Sequence, residues 1–217
     1  MEVKSTNTKD LWMKALRLIM SEGEEYLDRD GRTCKEIMNL QLILEEPTSE
    51  TINQPIDIIT NFQDWIYPSK EELTSVMFKE IRTSAYEHTY GGRMFKFGGV
   101  KDQMREFIIP ALKNNSLSRR AVVSIYNPII DSDLTNKNTP ALMYFQFRIK
   151  KGKLLLTANL RSNDILMGWP ANIYQLFKVQ ESIAKEMDLE IGSITVISNS
   201  AHVFLDRENP LFDKLKL

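Results

Sequence analysis

The chain has 217 residues, of which 42% are hydrophobic and 26% are charged, a balance typical of one globular domain with a sizeable core. Its formal net charge of -1 argues against a nucleic-acid partner bound through bulk positive charge. The single cysteine, Cys34, excludes an internal disulfide framework, and two histidines give no basis for a histidine metal site. Because no apolar run reaches membrane-spanning length and residues 1–5 lack an apolar targeting core, we expect a cytoplasmic protein without a membrane partner.

The first half of the chain predicts three helices and one strand. Apolar residues recur at helical spacing over residues 8–22, and Asp10 lies in the first turn, where a carboxylate favours the helix dipole. Ser69 and Glu72 have the spacing of a capping box, which predicts a helix from there to about residue 82. The other elements expected here are a turn over residues 28–32, a strand over 37–44, a polar loop over 48–56, an apolar segment of open type over 56–65, a loop over 90–93 and a helix over 101–112.

The second half of the chain is richer in predicted strands. Its patterns predict strands over residues 121–126, 142–149, 154–160 and 191–198, and one long helix over residues 172–187. We therefore predict an α/β fold of the α+β type, in which a mixed or mostly antiparallel sheet packs with helices. A single domain over residues 1–217 is expected, because no linker, repeat or low-complexity tract divides the chain.

Residues 161–172, which read Arg-Ser-Asn-Asp-Ile-Leu-Met-Gly-Trp-Pro-Ala-Asn, bring several ligand-binding groups together. The Arg161 guanidinium offers a planar set of donors that suits a phosphate. The Asn172 amide offers a donor beside an acceptor, which suits the edge of a uracil ring. Gly168 permits a ligand to approach the backbone closely. The pattern indicates a site with a phosphate at one end and a pyrimidine at the other.

Three further blocks accompany this motif. They are Asp-Arg-Asp-Gly-Arg at residues 28–32, Tyr-Gly-Gly-Arg-Met-Phe at 90–95 with Ser-Arg-Arg-Ala-Val-Val-Ser at 118–124, and Ser-Asn-Ser-Ala-His-Val-Phe at 198–204. Pro-Ala-Leu at residues 140–142 leads to the Arg-Ser-Asn-Asp motif and belongs to its block. Through these blocks the chain resembles the thymidylate synthases and their pyrimidine hydroxymethylase relatives over about residues 25–207. The short length and the last block look most like the compact archaeal-type members. The resemblance implies the thymidylate synthase fold.

The resemblance also implies which residues contact the nucleotide phosphate. Arg161 and Ser162 are expected to bind it, helped by an arginine of the first block. Arg29 aligns best for that role, and Arg32 is the alternative. For a lone arginine, simple surface solubility would be the better interpretation.

Arg119 and Arg120 are expected to reach the phosphate that the other subunit binds. This sharing implies a homodimer. The two arginines stand between a polar turn and an apolar strand, which favours a functional interpretation over a solvated surface.

For the base and the sugar, the resemblance implies roles for Asn172, His202 and Phe204. Asn172 would accept from N3–H and donate to O4 of uracil, whereas hydroxymethylase relatives that act on deoxycytidylate carry aspartate there. Because Asn172 follows Pro170, it also suits a helix N-cap, and both interpretations stay open. His202 would contact the ribose hydroxyl group, although the sequence alone favours a buried structural histidine. Phe204 stands where the family usually has tyrosine, which removes one hydroxyl group from the sugar contact.

The chemistry of the family needs a thiolate that adds to C6 of the pyrimidine, and here the nucleophile position is Ala141. Cys34 lies in the first block and is interpreted as a small apolar residue. Tyr90 would line the pocket near the base and assist proton removal. Asp164 would accept a hydrogen bond from the backbone of the base-binding loop. The family's acid–base glutamate is missing ahead of Trp65, and Glu72 ranks first among weak substitutes.

Three explanations fit the alanine at position 141. A catalytic cysteine was exchanged for alanine in the laboratory, or the chain is a natural homologue that binds nucleotide without covalent catalysis, or it has acquired a different reaction on a nucleotide. Within the first explanation, a hydroxymethylase acting on dUMP or dCMP is the alternative to a methylating enzyme. All three share a bound pyrimidine nucleoside monophosphate, with dUMP favoured. An active form would use a reduced folate or pterin as one-carbon donor, and no metal is expected.

Overall fold

The computed structural model describes residues 1–62, 67–79, 89–136, 138–205 and 209–217. These residues form a mixed sheet of eight strands packed with helices, which confirms the predicted fold class. The strands are β1 (Glu2–Ser5), β2 (Glu24–Leu27), β3 (Thr33–Leu44), β4 (Val122–Ser124), β5 (Leu142–Lys150), β6 (Lys153–Leu160), β7 (Asn163–Asp164) and β8 (Glu190–Phe204). The helices are α1 (Thr8–Glu22), α2 (Gln54–Thr60), α3 (Lys70–Phe78), α4 (Tyr90–Phe95), α5 (Ile109–Asn114), α6 (Pro128–Asp131), α7 (Gly168–Glu186) and α8 (Leu211–Leu215).

The chain divides into two compact units. The first comprises residues 1–67, 160–174 and 193–217, and the second comprises residues 68–159 and 175–192. In the described ranges, no helix combines the length and the apolar character needed to span a bilayer.

In the first unit, β3 is the central strand. It pairs in parallel with β1 and antiparallel with β2 and β8, while β7 pairs in parallel with β8. Leu40 and Leu42 of β3 lie opposite Ser198 and Val196 of β8, and all four are buried. Directly opposed residues point to the same face of a sheet, so this face belongs to the core.

Helix α1 covers the residues that the sequence predicts. The Asn7 side chain accepts a hydrogen bond of 3.0 Å from the backbone N–H of Asp10 and so begins the helix. The apolar stripe of the helix is buried and comprises Leu11, Trp12, Ala15, Leu16 and Ile19. Burial of such a stripe, more than propensity, keeps a helix of this length folded.

Both β3 and β8 extend beyond the predicted strands. The alternation that predicts strands over residues 37–44 and 191–198 is interrupted by polar residues at the added ends, such as Lys35, Glu36, Asn199 and Ser200. These ends pair with one another, Glu36 opposite His202, so backbone hydrogen bonding overrides the side-chain pattern. The added segments carry residues of the candidate site.

Helix α7 begins four residues earlier than expected, at Gly168 rather than at residue 172. Pro170 suggested a boundary, but it occupies the first turn, where a backbone N–H has no partner inside the helix in any case. Asn172 therefore lies within α7, and the interpretation of Asn172 as its N-cap is wrong.

In the second unit, β4 pairs antiparallel with β5, and β6 is the other neighbour of β5. The β5–β6 turn lies between the strands predicted over residues 142–149 and 154–160, where Lys-Lys-Gly-Lys at residues 150–153 is a typical turn sequence. Lys151 and Gly152 both adopt positive φ angles, of 52° and 75°. Helix α3 begins with the predicted capping box of Ser69 and Glu72 but ends at Phe78 rather than near residue 82. The remainder of that prediction, together with Trp65, lies outside the described residues.

Two predictions in this unit are wrong in detail. Residues 90–93 do not form a loop but begin α4, because the Thr89 hydroxyl accepts a hydrogen bond from the N–H of Gly92 at 3.1 Å and caps the helix. The helix expected over residues 101–112 is divided into a π-helical turn, Met104–Ile108, and α5. Pro110 explains the division, since a proline ring displaces the preceding turn and cannot donate.

Other elements had no clear sequence signal. Strands β1, β2 and β7 and helices α6 and α8 are short, and α2 occupies part of the apolar segment whose type was open. The polar loop before α2 accordingly ends at residue 53.

Candidate functional site

The first unit contains a cavity of about 420 Å³ at the ends of β3, β7 and β8. Its walls come from two strand ends, from the turn that follows β7 and from the segment that precedes α8. The lining residues are Arg32, Thr33, Asp164, Leu166, Met167, Phe204, Leu205 and Asn209.

Asp164 fixes the turn that follows β7. Its Oδ1 accepts hydrogen bonds from the backbone N–H of Leu166 at 2.9 Å and of Met167 at 3.1 Å. Burial raises the pKa of the Asp164 carboxyl group, although the Met167 N–H, the nearby His202, the Leu166 N–H and Arg32 act in the opposite direction. The carboxyl group is therefore an acceptor whose ionisation the site does not favour.

The backbone of the same turn also forms hydrogen bonds with residues elsewhere in the first unit. Trp12 Nε1 donates to the carbonyl oxygen of Ile165 at 2.7 Å, and Tyr67 Oη donates to that of Met167 at 2.7 Å. The Ile165 N–H donates to the His202 carbonyl oxygen at 2.8 Å. Burial raises the pKa of Tyr67, so its hydroxyl group keeps the proton that it donates. These bonds make the turn a rigid wall, because its buried polar groups are satisfied.

Asn172 belongs to a chain of polar side chains. Its Nδ2 donates to Asn163 Oδ1 at 3.1 Å, and Asn163 Nδ2 in turn contacts Ser198 Oγ at 2.9 Å. Asn163 and Ser198 are 2% and 0% exposed, so this chain reaches from the core to the half-buried Asn172. An amide has two N–H donors and an acceptor oxygen, so Asn172 retains the capacity to donate and to accept.

Of the two candidate arginines in the first block, Arg32 lines the cavity and Arg29 does not. The Arg32 guanidinium lies 4.0 Å from the centroid of the Phe204 ring and donates from Nε to Asp28 Oδ2 at 2.9 Å. Arg29 is 83% exposed at its side chain, and its ion pair with Asp30 is a long one of 3.7 Å. The structure thus brings the alternative arginine, rather than the first-ranked one, to Phe204 and Asp164.

His202 is buried and lies between strands β3 and β7. It is opposite Glu36 of β3 and beside Asp164 of β7. Its ring packs edge-on against the Phe204 ring with centroids 4.9 Å apart. Its Nδ1 is 3.4 Å from Ser200 Oγ, and Ser200 Oγ also bonds to Glu36 Oε1. Phe204 therefore connects His202 to the cavity by direct contact.

The start of the motif lies in the bend between β6 and β7. Arg161 is exposed and Ser162 is half-buried, so both are accessible to a ligand. A Cβ atom added at Gly168 would lie 3.5 Å from Asp164 Cβ and 3.9 Å from Asn163 Oδ1, which is ordinary contact. Packing among the described residues does not require a glycine at this position.

The remaining predicted residues belong to the second unit. Ala141 is half-buried in the bend before β5, and the half-buried Tyr90 is the first residue of α4. Arg119 and Arg120 are exposed just before β4, with the Arg119 carbonyl oxygen accepting from Gln146 Nε2 at 2.6 Å. Their guanidinium groups are accessible to a second molecule.

Glu72 is used as a helix cap. Its carboxylate accepts a hydrogen bond of 2.8 Å from the Ser69 N–H, and the bonds with Ser69 lower the pKa of Glu72. A general acid at neutral pH needs a raised pKa instead. The geometry supports the capping role of Glu72 and does not support the acid–base role.

Cys34 is fully buried, and burial raises the pKa of its thiol group. A protonated, inaccessible thiol is a poor nucleophile. These properties agree with the interpretation of Cys34 as a small apolar residue.

Sequence reasoning missed five residues that support the site, namely Trp12, Glu36, Tyr67, Asn163 and Ser200. Asn163 and Ser200 lay inside recognised motifs, but neither the burial of Asn163 nor the partners of Ser200 had a local signal. Among the described residues, no group of three or more His, Cys, Asp or Glu is placed to bind a metal ion.

Comparison with known proteins identifies the family. The family model described as thymidylate synthase matches residues 56–216. A Methanosarcina barkeri protein described as "putative thymidylate synthase" is 32% identical over 202 residues, covering 93% of this chain and 88% of the relative. A Methanocaldococcus jannaschii protein of the same description is 26% identical, covering 99% of this chain and 94% of the relative.

A deoxyuridylate hydroxymethyltransferase of Bacillus phage SP01 is also similar. It is 36% identical over 222 residues, which cover 90% of this chain but 57% of the phage protein. The extent of these matches, together with the α/β fold, shows that the chain belongs to the thymidylate synthase family.

Proposed function

We propose that this chain binds a pyrimidine nucleoside 5′-monophosphate, preferably dUMP, at the site in the first unit. The site is adapted to transfer of a one-carbon unit to C5 of the base, with the covalent step disabled at Ala141. The ligand preference rests on the two successive side-chain hydrogen bonds that join Asn172 to Asn163 and Asn163 to Ser198.

The base preference follows from hydrogen-bond capacity. With one N–H of Asn172 bonded to Asn163, the amide oxygen can accept from N3–H of uracil and the second N–H can donate to O4. Cytosine has an unprotonated N3 and an amino group. In the same orientation, the Asn172 oxygen would face N3, an acceptor against an acceptor, and the Asn172 N–H would face the amino group, a donor against a donor. Asn163 makes reorientation of the amide costly because its own bonds are buried.

The phosphate would be bound by cations at the accessible edge of the site. Arg161 and Ser162 lie in the exposed bend before β7, and Arg32 lines the cavity. Arg119 and Arg120 are proposed to complete the phosphate site of a second copy of the chain in a homodimer. Arginine suits this role because its planar donors match phosphate oxygens.

The covalent step would be a thiolate addition to C6, which makes C5 nucleophilic. A methyl side chain at position 141 has no lone pair and cannot add. Cys34 does not replace it, since it is buried and its pKa is raised. The chain as written is therefore proposed to bind nucleotide without forming the covalent intermediate.

Members of this family generally use a folate cofactor, and the cavity chemistry fits a reduced folate or pterin. Leu166 and Met167 offer an apolar surface for a flat ring, and Asp164 offers an acceptor for a donor-rich ring edge. Such a donor, when bound, supplies the one-carbon unit. The chain's own contribution would be to position its ring against Leu166 and Met167.

The binding proposal is tested by titration calorimetry with dUMP, dCMP, dTMP and deoxyuridine. We expect dUMP to bind best and deoxyuridine to bind at least tenfold more weakly, because the phosphate contacts are lost. In Asn172→Asp, the preference should move toward dCMP, since a carboxylate accepts from the cytosine amino group. Equal binding of dUMP and deoxyuridine, or no binding of any monophosphate, would contradict the proposal.

Hydroxymethylation is the second candidate reaction, and the similarity to the phage hydroxymethyltransferase favours it. It uses the same nucleotide and the same C6 addition, so binding experiments do not separate the two reactions. Mass spectrometry of the nucleotide product from an Ala141→Cys variant distinguishes a methyl from a hydroxymethyl group. A binding-only homologue would give neither product.

A further inference from the structure

Glu36, Ser200 and His202 form an array on one face of the β3–β8 pair. Glu36 lies directly opposite His202, and Ser200 is two residues before His202 on the same strand. Side chains two apart on a strand, and those directly opposite, share a face. The resemblance to the family assigns a role to His202 alone, and neither Glu36 nor Ser200 belongs to the predicted site.

The hydrogen bonds of this array have only one consistent direction. A carboxylate oxygen only accepts, so the Ser200 hydroxyl proton is donated to Glu36 Oε1. The Ser200 oxygen then presents a lone pair to His202 Nδ1, 3.4 Å away. This lone pair favours a proton on Nδ1, because an unprotonated Nδ1 would place two lone pairs against each other.

We propose that Glu36, acting through Ser200, is a positioning residue that keeps His202 in the tautomer with its proton on Nδ1. A neutral imidazole carries one N–H, so Nε2 becomes an acceptor. The site then selects a ligand that donates a hydroxyl group to His202, such as the 3′-hydroxyl of a deoxyribose. A ligand that presents only an acceptor at this point is disfavoured.

The neighbouring Phe204 increases the importance of the His202 tautomer for ligand binding. Its ring packs on His202 and lines the cavity, and it has no polar atom of its own. Phe204 itself therefore offers a ligand no hydrogen bond, and a hydrogen bond on this side of the ring depends on His202, which contacts it. The ligand part of this inference rests on the proposed function, whereas the tautomer part concerns the protein alone.

The tautomer is measured first, without ligand. Long-range proton–nitrogen correlation spectra of protein with ¹⁵N-labelled histidine distinguish the two tautomers at about pH 8.5, where an ordinary imidazole is neutral. The chain has two histidines, so His88→Gln assigns the signals. We expect the wild-type His202 to show Nδ1 protonated. An Nε2-protonated ring in the wild type would overturn the proposal, whatever the protein binds.

Two variants then test the relay. In Glu36→Gln, the amide can donate to Ser200, which frees the hydroxyl proton for Nδ1 and should move the histidine proton to Nε2. Ser200→Ala removes the hydroxyl group that links Glu36 to His202, so it should also increase the population of the tautomer with its proton on Nε2. Ser200→Thr keeps a hydroxyl group and should preserve the tautomer with its proton on Nδ1. Glu46→Gln and Ser193→Ala, on the same strands or next to them, should leave the spectra unchanged.

Calorimetry with dUMP and 2′,3′-dideoxyuridine 5′-monophosphate tests the consequence. In the wild type, loss of the 3′-hydroxyl should weaken binding about tenfold, and in Glu36→Gln the difference should shrink to about twofold. An equal tenfold difference in both proteins would overturn the ligand selection. If no nucleotide binds at all, the proposed function fails, and the spectra still decide the tautomer.

Discussion

Asn163 Oδ1 accepts a hydrogen bond of 3.1 Å from Asn172 Nδ2, which joins strand β7 to helix α7. Asn163 is almost completely buried and has Ser198 as its second partner. The orientation of the Asn172 amide thus depends on a core residue. A selective pyrimidine site built on this pair requires both asparagines.

Asn163→Ala tests this dependence. The substitution leaves Ser198 Oγ and the Asn172 amide without Asn163 as a partner, so we expect the free energy of unfolding to fall by about 1–3 kcal/mol. The affinity ratio of dUMP to dCMP should also fall, because the amide is free to turn. Urea unfolding and calorimetry measure the two effects. Asn61→Ala, at the exposed end of α2, should change neither, and an unchanged ratio in folded Asn163→Ala would count against the argument.

Asp164 gives a pH prediction. Burial raises the pKa of Asp164 in the folded protein above its value in the unfolded chain, so the native state binds more protons between the two values. The contribution of Asp164 to the free energy of unfolding therefore falls as the pH rises from the lower of these two pKa values to the higher one. Asp164→Asn keeps an acceptor for Leu166 and Met167 without a charge, so its stability should not show this decline.

The measurement is urea unfolding from about pH 4 to pH 8. At neutral pH we expect Asp164→Asn to equal or exceed the wild type in stability. Asp164→Ala should be less stable by about 1–3 kcal/mol, because two backbone N–H groups lose their acceptor. Asp188→Asn, at an exposed position, serves as the control. Identical pH slopes for wild type and Asp164→Asn would refute the prediction.

The sequence predicts the elements whose apolar residues recur with a clear period. Helix α1 and the β5–β6 turn agree with prediction because periodicity and turn residues are local signals. The start of α7 was missed because Pro170 resembles a boundary, although the first turn of a helix tolerates it. Strand ends that carry polar residues, as at Glu36 and His202, leave no apolar alternation for the sequence to show.

For the candidate site, the sequence proposes residues but carries no signal of the side chains that contact them. The family motif proposes Asn172 and Asp164 as site residues. The orientation of the Asn172 amide, however, depends on Asn163, and Asn163 is bonded in turn to Ser198, 35 residues away along the chain. The choice between Arg29 and Arg32 depends on turn geometry. Asp28 accepts from the Arg32 side chain, which directs Arg32 toward Phe204.

Gly168→Ala separates folding from binding. The added Cβ makes ordinary contact with Asp164, so the free energy of unfolding should stay within about 1 kcal/mol of wild type. A nucleotide that approaches this backbone would meet the new methyl group, and we expect dUMP affinity to fall at least tenfold. In contrast, Gly192→Ala should lower stability, because its Cβ would lie 3.0 Å from the Leu154 carbonyl oxygen. Unchanged affinity in Gly168→Ala would contradict close approach at this position.

The homodimer proposal makes a complementation prediction. Sedimentation should give twice the chain mass of 25.2 kDa. Mixed Arg161→Ala and Arg120→Ala chains should regain dUMP sites, because a mixed dimer contains one site with both arginines intact. Mixed Arg119→Ala and Arg120→Ala chains should regain none, since each subunit would supply an incomplete pair. A monomer that binds dUMP tightly would refute the shared site.

Ala141 decides whether the chain performs chemistry. As written, the protein should release no tritium from C5-labelled dUMP above background, since loss of a covalent nucleophile costs many orders of magnitude. Turnover by this chain would mean that the nucleophile is elsewhere. Cys34→Ala should bind dUMP as the wild type does, because the buried thiol has no part in binding.

Ala141→Cys is the decisive variant, because it adds a thiol group at the half-buried bend before β5 and changes little else. We expect it to gain tritium release in the presence of a reduced folate or pterin donor, and Ala141→Ser to stay inactive because a hydroxyl group is a much weaker nucleophile. Binding of dUMP should be similar in all three proteins, which separates loss of chemistry from loss of the site. If Ala141→Cys binds dUMP and still releases no tritium, the chain is a binding homologue rather than a disabled enzyme. Glu72 would then be excluded as a sufficient acid–base group, in agreement with its use as the cap of α3.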